Sequence, residues 1–138
     1  MDKFFVDTNI FTRFFLHDDS TLSPKAEKII TDCEEGKYTL VLAPVLFLEI
    51  TWLLHSFYKQ KKDSVIIILK KMLSFSNFEV LEKEFVTKMV SLYENSNIDL
   101  IDCYFVAQMQ SKRIDQIFSF DHHFDKLPGI KRLEKIRI

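Results

Sequence analysis

YTLVLAPVLFLEITWLLHSFYK, residues 38–59, is the stretch that decides the fold. Its first part, YTLVLA (38–43), reads as a short strand. Pro44 then opens a helix, because a helix start has no acceptor for the N–H that proline lacks. The apolar run that follows is too long for a strand and predicts a helix continuing to the basic residues Lys59, Lys61 and Lys62. A strand running straight into a helix is half of a βαβ unit, whose strands are parallel.

The pattern repeats on both sides. Upstream, KFFVD (3–7) predicts a short buried strand ending in an acid. A helix follows from about Ile10 to Leu16, and another is opened by Ser23 and Pro24 and stopped near Gly36. Downstream, Asp63 and Ser64 are placed to cap SVIIILKKML (64–73), where length and the flanking Lys70 and Lys71 favour helix over strand. A strand at Phe78 to Leu81 and a helix from Lys83 to Glu94 come next. After the polar break ENSN (94–97), Asn97 is placed to cap a helix from Ile98 to Lys112. Strands at QIFSFD (116–121) and IKRLEKI (130–136) complete the series. The alternation predicts one α/β domain over residues 1–138, a three-layer sandwich around a central, mostly parallel sheet of four to five strands.

Composition agrees. The 138 residues are 47% hydrophobic and 28% charged, enough to bury a core in one domain. Fourteen Phe against two Gly favours helices and short strands over a loop-rich β-protein. No apolar run reaches the roughly 18–20 residues of a membrane span, and MDKFFVD does not resemble a signal peptide, so the expected location is the cytoplasm. Cys33 and Cys103 lack metal-type spacing and read as reduced thiols. A net charge of −1 excludes a bulk polycation that binds nucleic acid non-specifically.

Acids occur where acids are costly. Asp7 and Asp121 end strands, and in open α/β sheets sites form beyond the carboxyl ends of strands; either could instead cap the turn after it. Glu49 is embedded in PVLFLEITWLL (44–54) with Lys59 as the nearest cation, and an ionised carboxylate in apolar surroundings calls for a basic partner or a metal. Asp102 lies beside Ile98, Ile101 and Phe105, members with Met109 of an apolar stripe at helical spacing. Four converging carboxylates with no matching bases are stable around a divalent cation, and an all-oxygen donor set selects Mg²⁺ or Mn²⁺ over zinc.

FFVDTNIF (4–11), VLFLEITWLL (45–54), DLIDCYFVAQ (99–108) and FSFDHHFDKLPGI (118–130) occur in the order and at the intervals of the PIN-domain family, which the chain resembles, and within it the VapC-type toxins of toxin–antitoxin pairs. The resemblance implies an endoribonuclease that hydrolyses RNA phosphodiesters, leaving a 5′-phosphate, with Asp7, Glu49, Asp102 and Asp121 as the catalytic and metal-binding quartet. It implies supporting polar roles for Asn9, Ser119 and Asp99, matches Asp125 to a frequent late acid, and makes an antitoxin protein the expected partner. Cys103 and Tyr104 depart from the small residues usual after the third acid. His122 and His123 stand where an acidic pair-mate is common, and adjacent histidines seldom point the same way, so surface or RNA contact is the expected role for both.

Phosphate contact is expected from Arg13, Lys59, Lys61 and Lys62, with Lys112 and Arg113 further candidates; each could equally be a solvated helix end. Phe14, Phe15, Trp52, Phe57 and Tyr58 are more aromatics than a small monomer needs to bury, which predicts a homodimer. Haloacid-dehalogenase-like phosphatases are disfavoured, since they need a second aspartate where this chain has Asn9. A catalytically silent binding module and an RNA-processing nuclease outside any toxin pair remain as rival readings. A ribonuclease using His55, His122 or His123 as general base is disfavoured because no acid–base pairing of the histidines is evident.

Overall fold

The computed structural model of the chain describes residues 1–135, so Ile136, the end of the expected last strand, lies outside the described residues. It comprises two compact units, the first Met1–Val86 and the second beginning at Thr87.

In the first unit β1 (Lys3–Phe5), β2 (Thr39–Leu42) and β3 (Phe78–Val80) form one parallel sheet in that order. Phe4 is in register with Leu40, and Leu40 with Phe78. Parallel neighbours need long crossovers. Here α1 (Thr8–Leu16) and α2 (Leu22–Glu34) carry the chain from β1 to β2. The return to β3 runs through α3 (Pro44–Trp52), a π-helical turn (Leu53–Phe57) and α4 (Lys62–Ser74). The α/β class read from the sequence is therefore the observed one, a parallel sheet flanked by helices.

Among the described residues only β2 is paired on both sides, and its Leu40, Val41 and Leu42 are buried. Truncating Leu42 to alanine would cost about 2–5 kcal/mol on general grounds. The expectation of a buried first strand is corrected: β1 is an edge of its sheet, and Phe4 and Phe5 are 51% and 72% exposed. Phe4 packs edge-on against Tyr38 at a centroid distance of 5.5 Å. Elsewhere aromatic residues knit the helices to β3, with Phe11 edge-on to Phe78 at 5.6 Å and Phe75 tilted against Phe78 at 5.1 Å.

Local chemistry moves several boundaries. The Asp19 carboxylate accepts the N–H groups of Thr21 at 2.9 Å and Leu22 at 2.7 Å, so α2 opens ahead of Ser23 and Pro24. Gly36, at φ +85°, turns the chain off α2 as expected, donating to the Cys33 carbonyl at 3.0 Å. The helix expected to run unbroken to Lys59 instead changes pitch at Leu53, where Tyr58 N–H reaches five residues back to the Leu53 carbonyl at 3.0 Å. SVIIILKKML is helical, but α4 begins at Lys62 with no side-chain cap, so Asp63 lies inside its first turn rather than before it. There its charge still favours the helix start.

The second unit takes up α5 (Lys83–Glu94) partway along and continues through α6 (Leu100–Lys112), β4 (Gln116–Phe118), a 3-10 helix (His122–Lys126) and β5 (Lys131–Leu133). β4 and β5 pair in parallel, with Gln116 opposite Lys131 and Phe118 opposite Leu133. The expected strands thus occur as a three-stranded sheet and a two-stranded one. Asp99, not Asn97, is the extended residue before α6, which therefore starts two residues later than expected. The buried face of α6 is Leu100, Cys103, Val106 and Ala107, whereas Ile101 and Phe105 are 53% and 50% exposed. The apolar stripe read from the sequence is therefore only partly the packed one. Apolar residues occupy more than one face of this helix, so spacing alone did not identify the inward side.

Candidate metal centre

Asp121 follows β4 and is the residue before the 3-10 helix, whose N–H groups need acceptors. Its Oδ1 accepts the His123 N–H at 2.9 Å, and its own N–H donates to Ser119 Oγ at 3.0 Å. Ser119 is fixed in turn, its N–H bonded to the Leu133 carbonyl at 3.1 Å and its carbonyl accepting from Arg132 at 2.9 Å. Asp121 thus caps a helix, and the same bonds fix its carboxylate.

The two histidines diverge. His122 Nδ1 lies 3.0 Å from Asp125 Oδ2 and 3.1 Å from an Arg132 nitrogen. Protonated at that nitrogen it donates to Asp125; unprotonated it accepts from Arg132. Arg132 also donates from Nε to Asp125 Oδ1 at 2.9 Å. The Arg132 guanidinium and then His122 hold the Asp125 carboxyl below its usual range. His123 turns the other way. Its Nδ1 lies 3.0 Å from Asp121 Oδ1 and 3.9 Å from Asp102 Oδ2. Both histidines are therefore paired with acids, correcting the expectation that no such pairing exists.

Asp102 stands in the first turn of α6 with its side chain 17% exposed. Burial is the main cause that raises its carboxyl pKa; the negative charges of Asp121 and Asp99 add to it, and His123 opposes them. Potential ligand atoms of Asp102, Asp121 and His123 all lie within 4.8 Å of one another. Adjacent ligands on an octahedral ion with bonds near 2.1 Å sit about 3 Å apart and opposite ones about 4 Å apart. The 3.0 Å and 3.9 Å separations of His123 Nδ1 from the two carboxylates match adjacent and opposite ligand positions, so the three groups could hold a divalent cation.

Asp7, Asn9 and Glu49 belong to the first unit. Asp7 caps α1, its Oδ1 accepting the Thr8 N–H at 2.7 Å, so its capping role is real. Asn9 follows on the exposed side of that turn. Glu49 is exposed, on the face of α3 that also carries Val45 and Trp52, while Leu46, Phe47, Ile50 and Thr51 pack inward. The inference that Glu49 is buried among apolar neighbours is therefore corrected: α3 is apolar on both faces and only one is packed. In the second unit Asp99 is exposed and Ser119 half-buried.

Among the candidate phosphate contacts, Arg13 donates to both Asp18 oxygens at 3.0 Å. Lys59 and Lys61 are exposed, whereas Lys62 is half-buried at the start of α4. Trp52 and Phe57 are 59% and 67% exposed, but Phe14 and Phe15 are half-buried against Phe75, and Tyr58 is half-buried too. Sequence reasoning missed Arg132 as the tether of this loop, and nothing around it signals that role. It also undervalued His123, whose spacing of two from Asp121 was the available clue.

A family model for the PIN domain matches residues 4–130. No curated protein matches the chain.

Proposed function

The chain belongs to the PIN domain family, whose members are generally nucleases using divalent metal ions, and from that premise we propose that it is a Mg²⁺- or Mn²⁺-dependent endoribonuclease. The observation that carries this reading is the approach of Asp102 and Asp121 to within 4.8 Å of each other beside His123, with Asp102 half-buried and its carboxyl pKa raised. Asp7 and Glu49 complete the catalytic and metal-binding set in this proposal, on the strength of the sequence motifs that match the family. Because the family match runs through both units, we read residues 1–138 as one catalytic domain.

A divalent cation supplies Lewis acidity toward a phosphoryl group and activates water for in-line attack. The protein's part is to hold carboxylates in place. Ser119 fixes the Asp121 main chain, and the His123 N–H fixes its carboxylate. Asn9 and Asp99 are the supporting polar groups of the proposal. Arg13, Lys59, Lys61 and Lys62 neutralise RNA phosphates in it; for Arg13 that means exchanging Asp18 for phosphate.

The biological setting proposed is that of a VapC-type toxin in the cytoplasm, a homodimer held by exposed apolar residues such as Trp52 and Phe57 and neutralised by an antitoxin protein. Among the described residues no helix is long and apolar enough to cross a membrane. The test is RNA cleavage by the purified chain in Mg²⁺ or Mn²⁺ and in EDTA. Cleavage in metal that ceases in EDTA is expected; cleavage that persists in EDTA, or none with either metal, overturns the reading. Co-purification with the product of an adjacent short reading frame, and its inhibition of cleavage, would distinguish a toxin from an RNA-processing nuclease.

A further inference from the structure

Two adjacent histidines in FSFDHHFDKLPGI are held differently. His122 is engaged by Asp125 and Arg132. His123 brings Nδ1 to 3.0 Å from Asp121 and 3.9 Å from Asp102, and its side chain is 51% exposed, so the ring has room to adjust. The backbone enforces the difference. The N–H of His123 is bonded to Asp121 Oδ1, which ties the residue to the very carboxylate its ring faces.

We infer that His123 Nδ1 is a nitrogen ligand of the metal centre, beside Asp102 and Asp121, and that it biases the centre toward Mn²⁺ over Mg²⁺. With its proton on Nε2, the ring presents the Nδ1 lone pair to the space the two carboxylates share. Mg²⁺ favours oxygen donors and gains little from imidazole, whereas first-row transition ions accept it readily. The all-oxygen site expected from the acids thus becomes a mixed one. The simpler role, an imidazolium that only neutralises Asp102 and Asp121, uses the same distances and predicts no bond from nitrogen to the metal. The inference rests on the metal-dependent reading of this site but not on the identity of the substrate.

The test is electron paramagnetic resonance of Mn²⁺ added to the full chain, with free Mn²⁺ giving the affinity and pulsed echo modulation reporting directly bound ¹⁴N. Wild type, His122→Gln and His123→Gln are compared, each checked for folding by circular dichroism. Imidazole-type ¹⁴N modulation is expected in wild type and His122→Gln and absent in His123→Gln. The His123→Gln change should weaken Mn²⁺ binding about tenfold or more, and Mg²⁺ binding, measured by competition, should weaken less. Bound Mn²⁺ without nitrogen coupling in wild type, or coupling that survives in His123→Gln, overturns the inference and leaves the nuclease reading standing. No Mn²⁺ binding at all overturns both. Nitrogen-coupled Mn²⁺ lost in His123→Gln, in a chain that cuts no RNA, supports the inference while removing the nuclease reading.

Discussion

Oδ1 of Asp121 meets His123 at two points, accepting its main-chain N–H at 2.9 Å and lying 3.0 Å from its ring Nδ1. A capping aspartate is usually a structural residue, but this one also faces Asp102, so the cap and the candidate metal donor are the same carboxylate. Substitutions can separate the roles, because an asparagine keeps the accepting oxygen and removes the charge.

Asp121→Asn and Asp102→Asn should each lower metal-dependent RNA cleavage by at least about 100-fold, roughly 2.7 kcal/mol in the barrier, while leaving the fold intact. Single-turnover cleavage rates check the first statement and circular dichroism the second. Cleavage by either variant at the wild-type rate removes that residue from the site.

The metal-free protein should show a linked effect of pH. The Asp102 carboxyl pKa is raised, first by burial and then by Asp121 and Asp99. Ionising it therefore destabilises the folded state. The penalty is absent below the unfolded carboxyl pKa, develops as pH rises through the folded value, and is complete above it. In EDTA near pH 7, Asp102→Asn should melt above wild type, and the gap should close as pH falls toward the unfolded carboxyl range. Calorimetry at both ends of that range measures it, and a variant less stable than wild type at pH 7 contradicts the assignment.

Exposed Glu49 gives the opposite separation. Its side chain is not part of the packed face of α3, so Glu49→Gln should change stability by less than about 0.5 kcal/mol yet lower cleavage as far as the other acids do. Denaturant melts beside cleavage rates decide it. Unchanged activity would leave Glu49 as a surface residue of an apolar helix.

The alternation of strands and helices was legible as far as Lys112 because each short apolar run there is followed by a longer helical one, and VIIIL fell to α4 on length and flanking lysines alone; the short 3-10 helix between β4 and β5 was not foreseen. Which face of a helix packs was less legible. Glu49 and the Ile101–Phe105 stripe sit on helices apolar on more than one face, where 3.6-residue spacing has no contrast to report. Asp121 was found because it closes the apolar run read as a strand, although the strand itself stops at Phe118. The pairing of its carboxylate with the His123 ring was not, because the 3-10 turn was not foreseen and Asp121 stands before it, outside any helix or strand period.

Arg132 should contribute to the acid limb of stability. The Asp125 carboxyl is held below its usual value near 3.8, first by the Arg132 guanidinium and then by His122. A depressed carboxyl contributes stability above the unfolded pKa and loses it as pH falls through the folded one. Arg132→Met should therefore bring acid unfolding to higher pH than in wild type. Melting curves between about pH 2.5 and pH 5 would show it; coincident acid limbs would mean the ion pair adds nothing in solution.

The last prediction concerns the nucleophile. The proposed chemistry uses activated water, so the RNA 2′-hydroxyl takes no part in bond cleavage and the products carry 5′-phosphate and 3′-hydroxyl ends. The approach of His123 Nδ1 to Asp121 gives the rival a concrete form, since an acid beside Nδ1 can orient a general-base imidazole, and His123 is exposed enough to meet a substrate. In that case His123 would take the proton of the 2′-hydroxyl, the adjacent phosphate would be attacked, and a cyclic phosphate and a 5′-hydroxyl would result without any metal. A substrate with a single 2′-deoxy sugar at the cleavage position separates the two routes. Metal-activated water should cut it at a rate within about tenfold of the all-RNA strand and leave a 5′-phosphate, whereas the histidine route cannot cut it at all. Resistance of the 2′-deoxy strand, together with cyclic-phosphate products from the RNA strand in EDTA, would move catalysis from the carboxylates to His123 and leave Asp121 as the residue that orients it.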